Sequence, residues 1–285
     1  MNIQISHSTD WKVISIIQLA FFILLMISFV LITLVQIRKG ISLTSIRGFF
    51  IFLIVFQLAK IVGGITGIIL LDSSNFNQNV FIATYICDSI SYGFITRGVS
   101  SLIQHMLNTK DQDSHQRTSN VSVSTFDMEN QKFESTESEY KIDEKQVKKK
   151  SPFTIVTLIL LAAVICNIVG MSNLSGSTAP DNTTETLIKT SAVLFLVGMI
   201  LLILASIYLI IVSPNNKPTC TLLIVILLIL IIRCIYSLLS AFHGVNFNQP
   251  SQYMLIFGDS KYYGFLALLP EGVAGILIMV VFFQW

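Results

Sequence analysis

Four ionisable side chains, Lys60, Asp88, Arg233 and Glu271, interrupt stretches that are otherwise apolar. Counted at about 1.5 Å per residue from the predicted outer end of each stretch, all four lie about 12–17 Å deep. That depth is close to the midplane of a hydrocarbon core about 30 Å thick. Unpaired charges are expensive in hydrocarbon. The two cations and two anions therefore predict one intramembrane charged layer, with Lys60 near Asp88 and Arg233 near Glu271.

Pro270 directly precedes Glu271 and is the only proline within a predicted span. A proline cannot donate to the carbonyl of Leu266, so it can kink or break the helix. Several transporters build mid-membrane binding sites from broken helices. The kink beside a carboxylate favours a ligand site made of the charged layer and Pro270. Ion pairs that only hold the helices together are the alternative.

The elements that position these residues follow from the composition, which is 53% hydrophobic and 12% charged with a mean hydropathy of +0.74. Soluble domains are about 25% charged, so the sequence predicts an all-α membrane protein. The stretch 80–106 carries Asp88 and Arg97 and can span only if it is buried among the others. The predicted spans of this seven-transmembrane helix bundle are 13–37, 49–71, 80–106, 153–172, 189–213, 219–243 and 263–283.

The basic residues of the loops predict the orientation, because most of them fall on one side of the predicted bundle and cytoplasmic loops are rich in lysine and arginine. The amino terminus is then outside and the carboxyl terminus cytoplasmic. Asn173 and Asn182 begin glycosylation sequons on the predicted outer side. A third sequon, at Asn120, lies on the cytoplasmic side and should carry no glycan. The expected location is the plasma membrane or a secretory-pathway membrane.

Residues 107–152 separate the two parts of the single membrane domain, 1–106 and 153–285, and differ from both in composition. They mix acidic residues and lysines with many Ser, Thr and Gln. Such a segment cannot bury enough apolar surface to fold by itself. The sequence predicts a disordered cytoplasmic loop that either binds a cytoplasmic partner or serves only as a tether.

Three segments carry a family resemblance: Phe56-Gln-Leu-Ala-Lys-Ile-Val-Gly-Gly64, Arg233-Cys-Ile-Tyr-Ser-Leu-Leu-Ser-Ala-Phe242 and Pro270-Glu271. They resemble the signature positions of an uncharacterised fungal family of seven-helix membrane proteins, which is similar in layout to the fungal lipid-translocating exporter, or aminocholesterol-resistance, proteins. The resemblance covers all seven spans and implies fungal origin and a membrane location. Lys60 stands where that family usually shows arginine, which removes a bidentate fork.

Other classes of seven-helix protein lack their defining residues here. Gln104-His105-Met106 ends the third span without the acidic-Arg-aromatic triplet of G-protein-coupled receptors, and the last span has no lysine for retinal. His105 and His243 lie at opposite predicted faces, which disfavours a zinc hydrolase. We expect no enzyme activity, cofactor, metal or nucleic-acid partner.

The sequence thus favours a protein that binds an amphipathic or lipid-like molecule in the bundle interior, for translocation or sensing. One alternative is a receptor-like sensor that signals through the 107–152 loop. Another is a structural membrane protein with no ligand.

Overall fold

The structure is a computed structural model that describes residues 8–38, 47–73, 76–124, 153–174, 180–212, 217–243 and 250–283. Within these ranges every regular element is helical. The helices are α1 (Ser8–Arg38), α2 (Arg47–Asp72), α3 (Gln78–Ser124), α4 (Phe153–Ser172), α5 (Asn182–Val212), α6 (Lys217–His243), α7 (Ser260–Tyr263), a π-helical turn (Gly264–Leu268) and α8 (Leu269–Phe283).

Six helices are long and apolar enough to cross a membrane: α1, α2, α4, α5, α6 and the continuous helix Ser260–Phe283, which α7, the π turn and α8 form together. We call the last of these the C-terminal helix. Large apolar side chains are exposed along all six, as on Ile211, Leu24 and Phe265. Apolar surface of this extent marks contact with a membrane rather than with water. The chain is a polytopic helical membrane protein.

Helix α3 is not one of the six, because its polar and charged residues lower its hydropathy. It is nevertheless the most enclosed helix, since no side chain between residues 80 and 107 is exposed. It packs against α2 and α4, and more lightly against α5 and α8. Its neighbours therefore shield its polar groups from lipid. The sequence predicted that this segment could span a membrane only if it was buried in this way.

The predicted disordered loop begins later than residue 107, because α3 continues as a helix to Ser124. The backbone of 107–124 is therefore helical in the structure, and disorder of the loop stays a prediction. Once a helix has formed, adding a residue needs no new nucleation step, so a stable segment can extend into polar sequence. The rest of the loop, 125–152, lies outside the described residues.

Helices α1 and α2 approach closely along the glycines of α2. A Cβ atom on Gly64 would lie 3.3 Å from the backbone oxygen of Ser15, and one on Gly67 would lie 3.0 Å from its Oγ. Small residues permit such contacts between membrane helices. The close approach lets Gln18 of α1 donate from Nε2 to the backbone oxygen of Lys60 at 2.9 Å.

The segment 250–259 covers the end of the bundle where α1 begins. Its residues Met254–Phe257 are buried in an apolar cluster with Trp11 and Tyr263. The indole Nε1 of Trp11 donates to the Gly258 oxygen at 2.9 Å. Ile256 has a φ of 69°, which a β-branched residue adopts only where its surroundings enforce it. This end of the bundle is therefore closed by a packed segment.

Candidate functional site: a buried ring of four charges

The four intramembrane charges meet in one closed ring. Lys60 Nζ lies 2.6 Å from Asp88 Oδ1 and also contacts Glu271 Oε2. Arg233 Nη2 lies 2.5 Å from Asp88 Oδ2, and Arg233 Nε lies 2.8 Å from Glu271 Oε1. Each carboxylate therefore bridges both cations through different oxygens. We call these four residues the charge ring; its formal charges sum to zero.

Four different helices contribute to the charge ring, and none of its members is exposed. Lys60 comes from α2, Asp88 from α3, Arg233 from α6 and Glu271 from α8. Lys60 and Glu271 are 0% exposed. Ion pairs taken out of water are compensated only when their geometry is good and their remaining atoms are hydrogen-bonded. The ring meets the first condition through its four contacts.

Three tyrosines surround the charge ring. The guanidinium carbon of Arg233 lies 5.3 Å from the ring centroids of both Tyr92 and Tyr236, a separation at which cation–π attraction acts. The Tyr263 hydroxyl lies 2.8 Å from Asp88 Oδ1 and 3.0 Å from Gln18 Oε1. A hydroxyl has a single hydrogen, so Tyr263 can donate to only one of these oxygens at a time.

Arg233 is further held by its own helix. Its Nη1 donates to Ser237 Oγ at 2.6 Å, one turn along α6. The guanidinium thus donates to three separate oxygens, using the fork that distinguishes arginine from lysine. Lys60 instead acts as a point charge between two carboxylates. A lysine at this position is therefore sufficient for the ring.

Glu271 owes its place to an irregular stretch of the C-terminal helix. Leu269 donates its N–H to the carbonyl of Gly264, five residues back, at the end of the π-helical turn. Pro270 follows with no N–H to donate. The sequence predicted a kink or break here; the helix instead continues through a wider turn, a form common at functional sites. Pro270 and Glu271 both lie on its buried face.

The equal depths predicted the right four partners, and both predicted pairs form. The sequence did not predict the crossed contacts, Lys60 to Glu271 and Arg233 to Asp88. It also missed Tyr263, which lies near the end of a predicted span, where a tyrosine is typical of the membrane interface. A period of about four residues, which places Tyr263, Ala267 and Glu271 on one helix face, was the available signal.

The space at the charge ring is small. The cavity that Asp88 and Arg233 line measures about 20 Å³, roughly the space for one water molecule. A lipid-sized molecule does not fit beside the ring in this conformation.

A much larger space, about 400 Å³, lies between α1 and the C-terminal helix. Its walls are almost wholly apolar, and Gly264 and Gly272 leave it open where side chains would otherwise project. Gly272 is the neighbour of Glu271 in sequence, so one short segment lines this space and supplies the ring. The other lining residues are Ile14, Ile17, Phe21, Lys261, Phe265, Leu268, Leu269, Val273 and Ile276. We call this space the lipid-side groove.

The remaining predicted site residues lie at the surface. Asn173 and Asn182 are exposed, just after α4 and at the start of α5 respectively. The side chain of Asn120 is not described. Within the described ranges, no three His, Cys, Asp or Glu side chains come close enough together to hold a metal ion.

The fold and the ring define a class: polytopic helical membrane proteins whose helices are joined by a buried, self-neutralising ion-pair network. The model of one protein family, described as a domain of unknown function (DUF7702), matches residues 9–128 and 134–284. The chain belongs to this family, and all four ring residues and Pro270 fall within the matched ranges. No curated protein and no solved structure matches the chain.

Proposed function

We propose that this protein binds a lipid-like amphiphile in the lipid-side groove and uses the charge ring to hold the unliganded conformation. Binding serves translocation or sensing of that molecule in the membrane. The groove is apolar and large enough for part of a hydrocarbon chain, as ligand pockets commonly are. Its position on the flank of the bundle replaces the interior site that the sequence predicted.

The observation that carries the proposal is the adjacency of Gly272 and Glu271. A molecule that fills the groove presses on the helix segment that carries Glu271. Because Glu271 contacts both Lys60 and Arg233, movement of that segment alters the ring and hence the packing of α2 and α6. A ligand shifts a conformational equilibrium only through such differential contacts.

The proposal includes a topology in which α3 is a seventh span, the amino terminus lies outside and the carboxyl terminus is cytoplasmic. Support for the seventh span comes from the enclosure of α3 by its neighbours. A lipid-like ligand is also what the resemblance in layout to fungal lipid-translocating exporters, proposed from the sequence, would imply.

One observation favours the receptor-like alternative. Helix α3 carries Asp88 and continues from the ring to Ser124, so it gives a continuous connection to the predicted cytoplasmic segment. In that case a partner would bind within 107–152. Loss of partner binding on deletion of 125–152, with lipid uptake retained, would favour this alternative.

Filling the groove tests the proposal. Ile276 lines the groove and is 44% exposed, whereas Val280 lies one turn further along the same helix, is 41% exposed and does not line it. We expect Ile276→Trp to abolish most uptake of fluorescent lipid analogues by cells that make the protein, because the indole occupies the groove. The matched control, Val280→Trp, should keep wild-type uptake at equal surface levels. Equal uptake in both variants would reject the groove as the binding site.

A further inference from the structure

The small cavity at the charge ring is polar and shares no lining residue with the lipid-side groove. It lies among α3, α4, α5 and α6 and measures about 20 Å³. Asp88 and Arg233 form one wall, and Asn167, Ser191 and Ser237 contribute further polar groups. Leu255, from the packed segment 250–259, also lines it. We call it the polar cavity.

Asn167 is the clearest sign that the polar cavity has an occupant. It lies on α4, is only 8% exposed and has an Oδ1 that receives no hydrogen bond from the described residues. A buried acceptor without a donor costs about 1–3 kcal/mol, so most such groups in proteins are satisfied by protein or by ordered water.

Ser237 supplies the complementary group. Its Oγ accepts from Arg233 Nη1 at 2.6 Å, which leaves its own hydrogen to donate. Within the described part of the chain, no hydrogen bond from that hydroxyl is found. The polar cavity thus brings together a buried acceptor without a donor, Asn167 Oδ1, and a hydroxyl with a hydrogen available to donate, Ser237.

We propose that the polar cavity binds one water molecule, which donates to Asn167 Oδ1 and accepts from Ser237. Water is the smallest molecule that can do both, and a cavity of about this size holds one when its walls offer two or more polar partners. The water joins α4 to the charge ring, although α4 supplies no charge of its own. This inference is independent of the proposed lipid site.

Leu255 connects the polar cavity with the packed segment 250–259. It belongs to the segment that closes the end of the bundle where α1 begins, and it also lines the polar cavity. We expect exchange of the water with solvent to require movement of this segment. Tyr92 and Phe195 also line the polar cavity, and their ring centroids lie 5.1 Å apart.

Radiolytic hydroxyl-radical labelling in lipid nanodiscs tests the water site, because radicals formed from a bound water label the side chains next to it. Tyr85 and Tyr236, which are 8% and 4% exposed, line the polar cavity, whereas Tyr263, which is 3% exposed, does not. We expect Tyr85 and Tyr236 to be labelled severalfold faster than Tyr263. Asn167→Leu, which fills the space and removes the acceptor, should lower their labelling to the Tyr263 rate.

A second filling variant covers the case in which Asn167→Leu does not fold. Ala192 lines the cavity from α5, so Ala192→Leu should have the same effect; Ala205→Leu, on the same helix outside the cavity, should leave labelling unchanged. Labelling of Tyr85 and Tyr236 at the Tyr263 rate in the wild type, or labelling that both filling variants leave unchanged, would overturn the water site.

Discussion

Charge balance governs the ring at the level of single residues. Every member is removed from water, and removing one partner of a buried ion pair typically destabilises a protein by about 3–5 kcal/mol because the other charge is left uncompensated. In this ring, however, each cation contacts both carboxylates. The loss of one residue therefore affects two others, and what remains can still pair if its charges cancel.

This geometry predicts that a second substitution restores the folded yield when it removes a charge of the opposite sign, whichever of the two oppositely charged residues is replaced. Glu271→Gln should lower the folded yield in detergent, measured by size-exclusion chromatography, because it leaves two cations and one anion. Adding either Lys60→Gln or Arg233→Gln should restore much of the yield. The same-sign double variant, Asp88→Asn with Glu271→Gln, should be worse than either single variant.

The outcome distinguishes a ring from two separate pairs. Rescue of Glu271→Gln by Arg233→Gln alone would indicate that the Lys60 contacts contribute little. Failure of both rescues, with losses that simply add, would show that the charges do not interact as the structure places them.

The Tyr263 hydroxyl should contribute measurably to stability. Tyr263→Phe keeps the aromatic packing and removes the donor shared by Asp88 and Gln18. We expect a loss of about 1–3 kcal/mol, since a buried acceptor is left unsatisfied. Tyr262→Phe, one residue away on the exposed face, is the control in thermal unfolding. Equal unfolding midpoints for the two variants would contradict this role.

The four members of the charge ring could be predicted from the sequence, but the contacts between their atoms could not. Depth depends only on the count of residues along a helix, so Lys60, Asp88, Arg233 and Glu271 could be placed at one level. Which oxygen meets which nitrogen depends on how each helix is rotated about its axis, and interhelix packing sets that rotation. Tyr263 was missed for the same reason, because its depth alone is typical of an interfacial residue.

Among the elements, the C-terminal helix differs from an ordinary α-helix in two properties. Its π turn widens the helix before Pro270, and its two faces border the lipid-side groove and the charge ring. A wider turn adds a residue per turn locally, so it resets the angular position of everything that follows. The direction in which Glu271 points therefore depends on this irregular stretch.

Replacing the proline tests that dependence. Pro270→Ala supplies the missing N–H and allows a regular α-helical turn. We expect the variant to fold and reach the cell surface but to lose uptake of fluorescent lipid analogues, because the C-terminal helix no longer has its irregular turn. Pro218→Ala, at the start of α6, where a proline disturbs little, is the control. Normal uptake by Pro270→Ala would show that lipid uptake does not depend on the π turn.

The third helix shows where hydropathy and tertiary structure diverge. Its bundle part was predicted at 80–106 and lies within Gln78–Ser124. Its composition alone is too polar for a membrane span. Its polar residues are tolerated within the bundle because neighbouring helices enclose them. Its extension to Ser124 could not be read from polar sequence, because the stability of that part depends on the helix already formed in the bundle.

At the scale of the whole molecule, glycan mapping tests the proposed orientation. Asn173 and Asn182 are exposed at one end of the bundle, the same end at which Leu174 packs with Trp11. We expect glycans at one or both of these residues and none at Asn120. Substituting each asparagine with glutamine and following gel mobility after glycosidase treatment measures this. A mobility change only on loss of Asn120 would reverse the orientation.

The order of the four charge-ring residues along the chain also bears on how the chain enters the membrane during synthesis. Lys60 and Asp88 are 28 positions apart and Arg233 and Glu271 are 38 apart, so each pair arrives on two helices close together in chain order. In the proposed seven-span topology, two consecutive helices can therefore bring each ring cation into the membrane together with a ring carboxylate. The crossed contacts, Lys60 to Glu271 and Arg233 to Asp88, can form only when both helix pairs are in place. Until the C-terminal helix is in place, Asp88 is the one ring carboxylate opposite Lys60 and Arg233, so the incomplete ring carries a net positive charge.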